Sequence, residues 1–375
     1  MISIYIKTHD ARFVALGFIV QAVATIVVTS LAGGLTDRLP RRGLVVGLEL
    51  LRAATLLSTP FLIGLNWWLI VPILFFLSGI NAVVQPAKQA AIPSLVPSGQ
   101  IGKANAMVAA TSMLAGAVGF GVAAAILSTF PSSINVLFVA DAATFVLAAG
   151  IILGIPNLGG GLIATSVAGA LRRTWSIVEA RPHLVVSTLA AFLIPISMPA
   201  LLALAYQISL AGGQTYSLLE LVSSVGIFVG SLIVSRIGSI GSMRTVGAGL
   251  LLTGAFSVAI AMSPIYVIVL FALFVASVGN PIYAVANQTA LIEAADASNR
   301  GTVMATRFGL AQTAGIIGMA VGGVVTRQFS PGAAYAVLGV GLVLLALYAL
   351  AAGRSTVNPL HGAAYEEAAL QRAKT

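Results

Sequence analysis

Asp37, Arg38, Arg41 and Arg42 crowd into the stretch Ser30 to Leu44 (SLAGGLTDRLPRRGL), where one helix-length apolar run ends at Gly33 and another resumes at Leu44. Acidic and basic groups at two adjacent helix ends can make charge-assisted hydrogen bonds to a neighbouring helix in one conformation and release them in another. Further ionisable groups stand inside apolar runs, where a charge at mid-bilayer costs at least about 3 kcal/mol, so each is a functional candidate. Glu49 and Arg52 are three residues apart and can pair on one helix face in support of that hinge. Asp141 reads as an internal hydrogen-bonding group or a protonatable one. Glu220 reads as a protonatable coupling group or as a helix-start carboxylate favoured by the dipole. Arg307 can receive an anionic group or pair with a carboxylate.

Enzyme chemistry has little to work with. There is no HExxH, GxSxG or aspartate dyad and no GxxxxGK[ST] loop, so neither an intramembrane enzyme nor ATP hydrolysis is expected. Zero cysteines exclude disulfides and thiolate ligands, and His9, His183 and His361 are too scattered in sequence to suggest a metal site. No catalytic residue, metal or cofactor is expected.

Uncharged polar residues form a different pattern. Ser78, Asn81 and Gln85 fall at i, i+3 and i+7 of one apolar run, and Asn280, Tyr283 and Asn287 repeat that spacing in another. Gln21 and Thr25, and Met198, Tyr206 and Gln207, lie in two further runs. Interhelical hydrogen bonding accounts for any one amide. Two matching stripes instead suggest a cavity for a small molecule with few fixed charges, held by apolar and aromatic walls.

The elements carrying these groups are membrane-length. The chain is 59% hydrophobic and 8% charged, against roughly 25% charged in a soluble domain. Spans of about 20 apolar residues suffice to cross, and such segments fall near 12–34, 43–64, 67–87, 104–128, 133–155, 184–210, 216–236, 244–263, 265–287, 302–326 and 332–352. On that threading Arg38, Arg41, Arg42, Lys88, Lys103, Arg172, Arg173, Arg181, Arg236, Arg244, Arg300, Arg354, Arg372 and Lys374 share one side. Little beyond Lys7, Arg12 and Arg327 stays on the other. The asymmetry makes the basic side cytoplasmic, so the net charge of +9 reflects topology rather than nucleic-acid binding. Met1 to Lys7 is apolar but too short to span, like the tail of a first helix.

Internal repetition divides the chain. Gln85-Pro86 is expected to end one helix and Asn280-Pro281 its counterpart. Ala115, Gly119 and Ala123 make a small-residue face that Ala314, Gly318 and Gly322 repeat. The expected units are 1–155, a helix-one remnant plus helices two to six; 156–183, a linker; 184–353, a second six-helix bundle; and 354–375, a tail. In the linker, Val167, Leu171, Trp175 and Val178 oppose Arg172, Arg173 and Arg181, which suits a helix on the inner membrane surface.

Two motifs carry a family resemblance. The loop G-x-L-x-D-R-x-x-R-R resembles the signature between the second and third helices of major facilitator transporters, with Pro40 where that family usually has Gly. Pro86 to Ala106 (PAKQAAIPSLVPSGQIGKANA) resembles the exporter branch that includes macrolide efflux proteins, the enterobactin exporter and mycobacterial multidrug pumps. Glu49-x-x-Arg52 (where that branch commonly has Asp first), Asp141-Ala142-x-Thr144-Phe145 and Arg300-Gly301-x-Val303 also resemble that branch. The antiporter helix-five motif is eroded, since Ala115 to Ala124 reads AGAVGFGVAA and lacks its proline.

The resemblance implies an all-α integral membrane protein with two six-helix halves, here with about eleven spanning helices. It implies export of a drug-like or siderophore-like amphiphile by alternating access with protons as coupling ion. The partners implied are cargo, membrane lipids and protons, with a monomer in a bacterial inner membrane and its C-terminus cytoplasmic. A lipid or metabolite carrier and a transport-inactive scaffold are the alternatives.

Overall fold

The computed structural model describes residues 1–32, 41–96, 101–130, 134–155, 180–209, 212–234, 236, 242–263, 265–294 and 300–355. They form α1 (Ile2–Thr8), α2 (Ala11–Ala32), α3 (Arg41–Leu65), α4 (Ile70–Leu95), α5 (Ile101–Thr129) and α6 (Ile134–Leu153). A second set follows: α7 (Ala180–Leu193), α8 (Ser197–Ile208), α9 (Gly212–Val234), α10 (Met243–Met262), α11 (Tyr266–Glu293), α12 (Arg300–Gln328) and α13 (Pro331–Ser355). Helix is what an apolar chain must adopt in lipid, where no water satisfies a bare N–H or C=O. Among the described residues, ten helical spans are long and apolar enough to cross a membrane, α7 and α8 together forming one of them. α5 adds an apolar stretch, Leu114–Thr129, which makes the expected eleven.

Local signals set the boundaries. His9 closes α1 in the left-handed region, φ 48°, with its N–H on the Tyr5 carbonyl. Asp10 then opens α2, its Oδ1 accepting from the Arg12 N–H at 2.9 Å. Ser242 and Ser330 likewise accept from backbone N–H groups in the first turns of α10 and α13. A 3-10 turn, Ile194–Ile196, interrupts the α7–α8 span at Pro195.

Two boundaries differ from the sequence expectation. Neither Pro86 nor Pro281 ends its helix: α4 runs on to Leu95 and α11 to Glu293. A membrane helix tolerates a proline where a neighbour packs against the bend. Around Pro281 that neighbour is α9, which approaches so closely at Gly230 that a Cβ there would overlap the Val278 carbonyl oxygen. The linker expected over 156–183 lies outside the described residues up to 179, as does the tail beyond 355.

The small-residue faces also diverge. A Cβ at Gly318 or Gly322 would overlap the carbonyl oxygens of Phe192 and Ile196, so α12 lies backbone to backbone on the α7–α8 break. On α5, Gly119 has nothing within 4 Å of where its Cβ would stand. The stripe repeats in sequence, but only its second copy is a packing surface in this conformation.

The helices alternate in direction, so the molecule has an end carrying Asp10 and an end carrying Arg42, Lys88, Arg181 and Arg244. At the Asp10 end one apolar core runs across both bundles: Ile4, Val14 and Ile70 join Ala200, Leu202 and Leu219. At the basic end the core divides. Val45, Val84, Ala87 and Ile152 cluster within the first bundle, and Leu184, Leu291 and Val303 within the second. Among the described residues, the bundles are sealed at the Asp10 end and part toward the basic end.

Candidate functional site

The charged motifs of the first bundle converge on one point at its basic end. Glu49, in the third turn of α3, has no solvent exposure and accepts from Arg52 Nη1 at 3.3 Å and from Lys88 Nζ of α4 at 2.5 Å. The Arg52 guanidinium lies 4.0 Å from the centre of the Phe145 ring of α6. Asp141, one turn earlier on α6, is within electrostatic reach of Arg52. Glu49-x-x-Arg52, Asp141-x-x-Thr144-Phe145 and the Lys88 of the proline-rich motif are therefore one assembly tying α3, α4 and α6. Arg42 enters α3 from the hinge, and its buried Nε meets no acceptor among the described residues. Gly33, Asp37 and Arg38 lie outside the described residues, and the Arg41 side chain is not described.

The opposite end has a charge cluster that sequence reading assigned only to topology. Arg12 grips Asp10 through Nε and Nη2, the shortest contact being 2.7 Å, and Arg327 of α12 reaches the same carboxylate at 3.3 Å. Arg327 belongs to the second bundle, so this pair crosses the seal. Around it, Tyr5 packs 4.8 Å from Tyr206, and Phe13 sits edge-on to Trp67 and Trp68. A signal was present: Thr8-x-Asp10-x-Arg12 places a capping carboxylate directly before an apolar run.

Burial pushes the Asp10 carboxyl up, but hydrogen bonds from Arg12 and the charges of Arg12 and Arg327 outweigh it and hold it below the usual range. The carboxylate form is thus the one the sealed state favours. Its contribution is complete above the ordinary carboxylate pKa, about 4, and fades as pH falls through the lowered value. Asp10→Asn is expected to shift the sealed-to-open ratio at this end by about two- to fivefold, modest because Arg327 is exposed. The Asp10 contribution to the wild-type ratio should stay flat from pH 8 to pH 5. The chain lacks cysteine, so one spin label on α2 and one on α12 can read the distance. An unchanged distance distribution in Asp10→Asn would remove the latch.

Glu220 stands in the third turn of α9 rather than at its start, because the helix begins at Gly212. It is half-buried, its carboxyl hydrogen-bonded to the Tyr216 hydroxyl one turn earlier and near the buried Tyr335. A Cβ on Gly121 of α5 would stand 3.8 Å from Leu221, the residue after Glu220, across the bundles. Arg307 of α12 donates from Nε to Ser187 Oγ of α7 at 3.1 Å and lies near Tyr283 of α11.

The proposed cargo stripes are only partly free. Asn287 is buried, its Oδ1 2.9 Å from His183 Nδ1 and its Nδ2 donating to the His183 carbonyl oxygen at 3.1 Å. In this conformation that amide ties α11 to α7 and offers nothing to a ligand. Asn280 and Tyr283 on the same face are half-buried. In the first bundle Ser78 and Asn81 are half-buried and Gln85 is exposed. Gln21 and Thr25 are half-buried, the Thr25 hydroxyl bonded to the Gln21 carbonyl. Met198 and Gln207 are exposed, while Tyr206 belongs to the seal and packs against Gly212. Sequence reading missed His183 and Ser187, which hold Asn287 and Arg307 from α7. Among the described residues, no group of three or more His, Cys, Asp or Glu could hold a metal ion.

The geometry has relatives. In structure the chain resembles a bacterial homologue of the iron transporter ferroportin in an inward-facing state, with 15% identity, TM-score 0.68, and 92% of this chain and 90% of that one covered. It also resembles a bacterial homologue of the human lysosomal transporter Spinster, inward-facing and unoccupied, at 15% identity, TM-score 0.56, and 91% and 93% coverage. The E. coli xylose transporter XylE, partially occluded and inward open, matches at 12% identity, TM-score 0.65, and 93% and 88% coverage. Likeness at such identities speaks for the fold alone. No curated protein matches significantly in sequence. The family model of the Major Facilitator Superfamily matches residues 1–244 and again 184–371. With its all-helical, membrane-spanning architecture, the chain belongs to the Major Facilitator Superfamily of transporters.

Proposed function

We propose that the chain is a secondary transporter that exports a small amphiphilic molecule, drug-like or siderophore-like, across a bacterial inner membrane by proton-coupled alternating access. The observation that carries the reading is the apolar core, shared by the bundles at the Asp10 end and divided at the basic end. Such an arrangement needs only a rocking of one bundle on the other to exchange access between sides. The excess of Arg and Lys at the dividing end makes that end, and the C-terminus, cytoplasmic. Export is supported by the Pro86 to Ala106 resemblance. The test is accumulation and efflux of drugs, siderophores and lysolipids in cells expressing the protein, with and without a protonophore. Protonophore-sensitive efflux of one class is expected. Movement of lysolipids or metabolites alone supports a carrier of those, and no movement of any solute supports a scaffold.

The hinge offers a sharper check. Asp37 belongs to the loop whose helix α3 enters the Glu49 assembly two turns later. Asp37→Asn should reduce efflux at least about tenfold at equal membrane abundance, because it removes a charge that stabilises one gate state. Normal efflux by that variant reduces the loop to a topology signal.

A further inference from the structure

Arg307 is a cation at the basic end of a membrane-spanning helix, the second residue of its apolar span Thr306–Gln328, without an acidic partner among the described residues. Among the described residues the four ion pairs all use Asp10 or Glu49, and no described carboxylate lies within 4 Å of Arg307. Its hydrogen bond among the described residues, Nε to Ser187 Oγ, fixes the guanidinium plane but supplies no charge. A guanidinium at the edge of a membrane span is stabilised by an anion or by water. With Nε engaged, the two Nη nitrogens remain as a fork whose spacing matches a carboxylate or phosphate. The Tyr283 hydroxyl on α11 is a further donor nearby. One turn toward the basic end, His183 and Asn287 satisfy each other and tie α7 to α11. Arg307 is half-buried.

We infer that Arg307, positioned by Ser187 and assisted by Tyr283, is the docking site for the anionic head of an otherwise apolar cargo. The inference rests on the transport reading above and narrows it: the cargo is an amphiphile with a single carboxylate or phosphate, not a neutral or cationic one. One head group and one fork are consistent with the few fixed charges elsewhere. The same chemistry could come from the head group of an anionic lipid, and the experiment separates the two.

Full-length protein in phosphatidylcholine nanodiscs is titrated with dansyl-undecanoate and with its methyl ester, and binding is read by fluorescence. Wild type should bind the acid about tenfold more tightly than the ester. Arg307→Gln should lose that preference while binding the ester unchanged, and Arg307→Lys should keep part of it. Nanodiscs containing phosphatidylglycerol report the lipid: unchanged preference assigns the fork to cargo, and its abolition assigns it to lipid and overturns the cargo assignment. Equal wild-type affinity for acid and ester overturns the anion site outright and needs no variant. Efflux is measured separately. Acid preference without efflux in any cargo class refutes the transport reading alone, and efflux without acid preference refutes the anion site alone.

Discussion

Glu49→Gln is expected to lower the stability of the folded protein by about 3 kcal/mol and to cut its membrane abundance accordingly. Glu49 has no exposure and neutralises two cations, Arg52 of its own helix and Lys88 of α4. Glutamine keeps the volume and one acceptor but removes the negative charge between them. Breaking a buried pair from one side costs about 3–5 kcal/mol because the remaining charge is stranded. The lower figure applies here, since the Lys88 side chain is 40% exposed and can turn toward water, whereas Arg52 is 15% exposed and pinned under Phe145. Lys88→Met should cost much less, because Arg52 still faces Glu49. Thermal unfolding in detergent provides the check. A Glu49→Gln midpoint equal to wild type, or a larger loss in Lys88→Met, would show that the assembly does not hold α3, α4 and α6 together.

The fold was legible because lipid imposes one-dimensional rules. Apolar runs of fixed length and basic residues at alternate ends can be read without knowing which helix touches which. The Glu49 assembly was legible in parts: each motif was visible in sequence, but their meeting depends on α3, α4 and α6 packing side by side. Asp10 was missed for a different reason. It lies in a turn outside every apolar run, so a search for charges inside the membrane passes over it. Its partner Arg327 is 317 positions away.

The polar stripes show the limit of spacing arguments. Asn280, Tyr283 and Asn287 do share a face of α11, as their spacing requires. A face says nothing of what it looks onto, and at Asn287 it looks onto His183, 104 residues earlier. His183 was set aside because the histidines are scattered, a criterion that finds metal sites but not single hydrogen-bond partners. The repeated small-residue stripe is similar. Gly318 carries a packed neighbour and Gly119 does not, although both stripes have the same sequence spacing.

Glu220→Gln is expected to abolish gradient-driven accumulation while leaving cargo free to equilibrate down its own gradient. Three placements lead there. The carboxyl is in the third turn of α9, hydrogen-bonded to the Tyr216 hydroxyl and near Tyr335, so it sits among phenols rather than at a solvated helix start. The next residue, Leu221, lies across from Gly121 of α5, so the group lies where α9 and α5 pack and changes surroundings if the bundles rock. It is also a carboxyl that no cation neutralises within 4 Å among the described residues. A carboxyl that passes between a sealed apolar interface and open water carries a proton on one passage and releases it on the other, which links the rocking to the proton gradient. Glutamine retains the hydrogen bond to Tyr216 and removes only the titration, so the protein should fold and bind cargo as before. The measurement is uptake into proteoliposomes under an imposed pH gradient, compared with counterflow under none. Counterflow should persist and accumulation should fall to the level seen with protonophore. If Glu220→Gln keeps full protonophore-sensitive accumulation, the coupling proton sits elsewhere, and Asp141 beside Arg52 becomes the next carboxyl to replace.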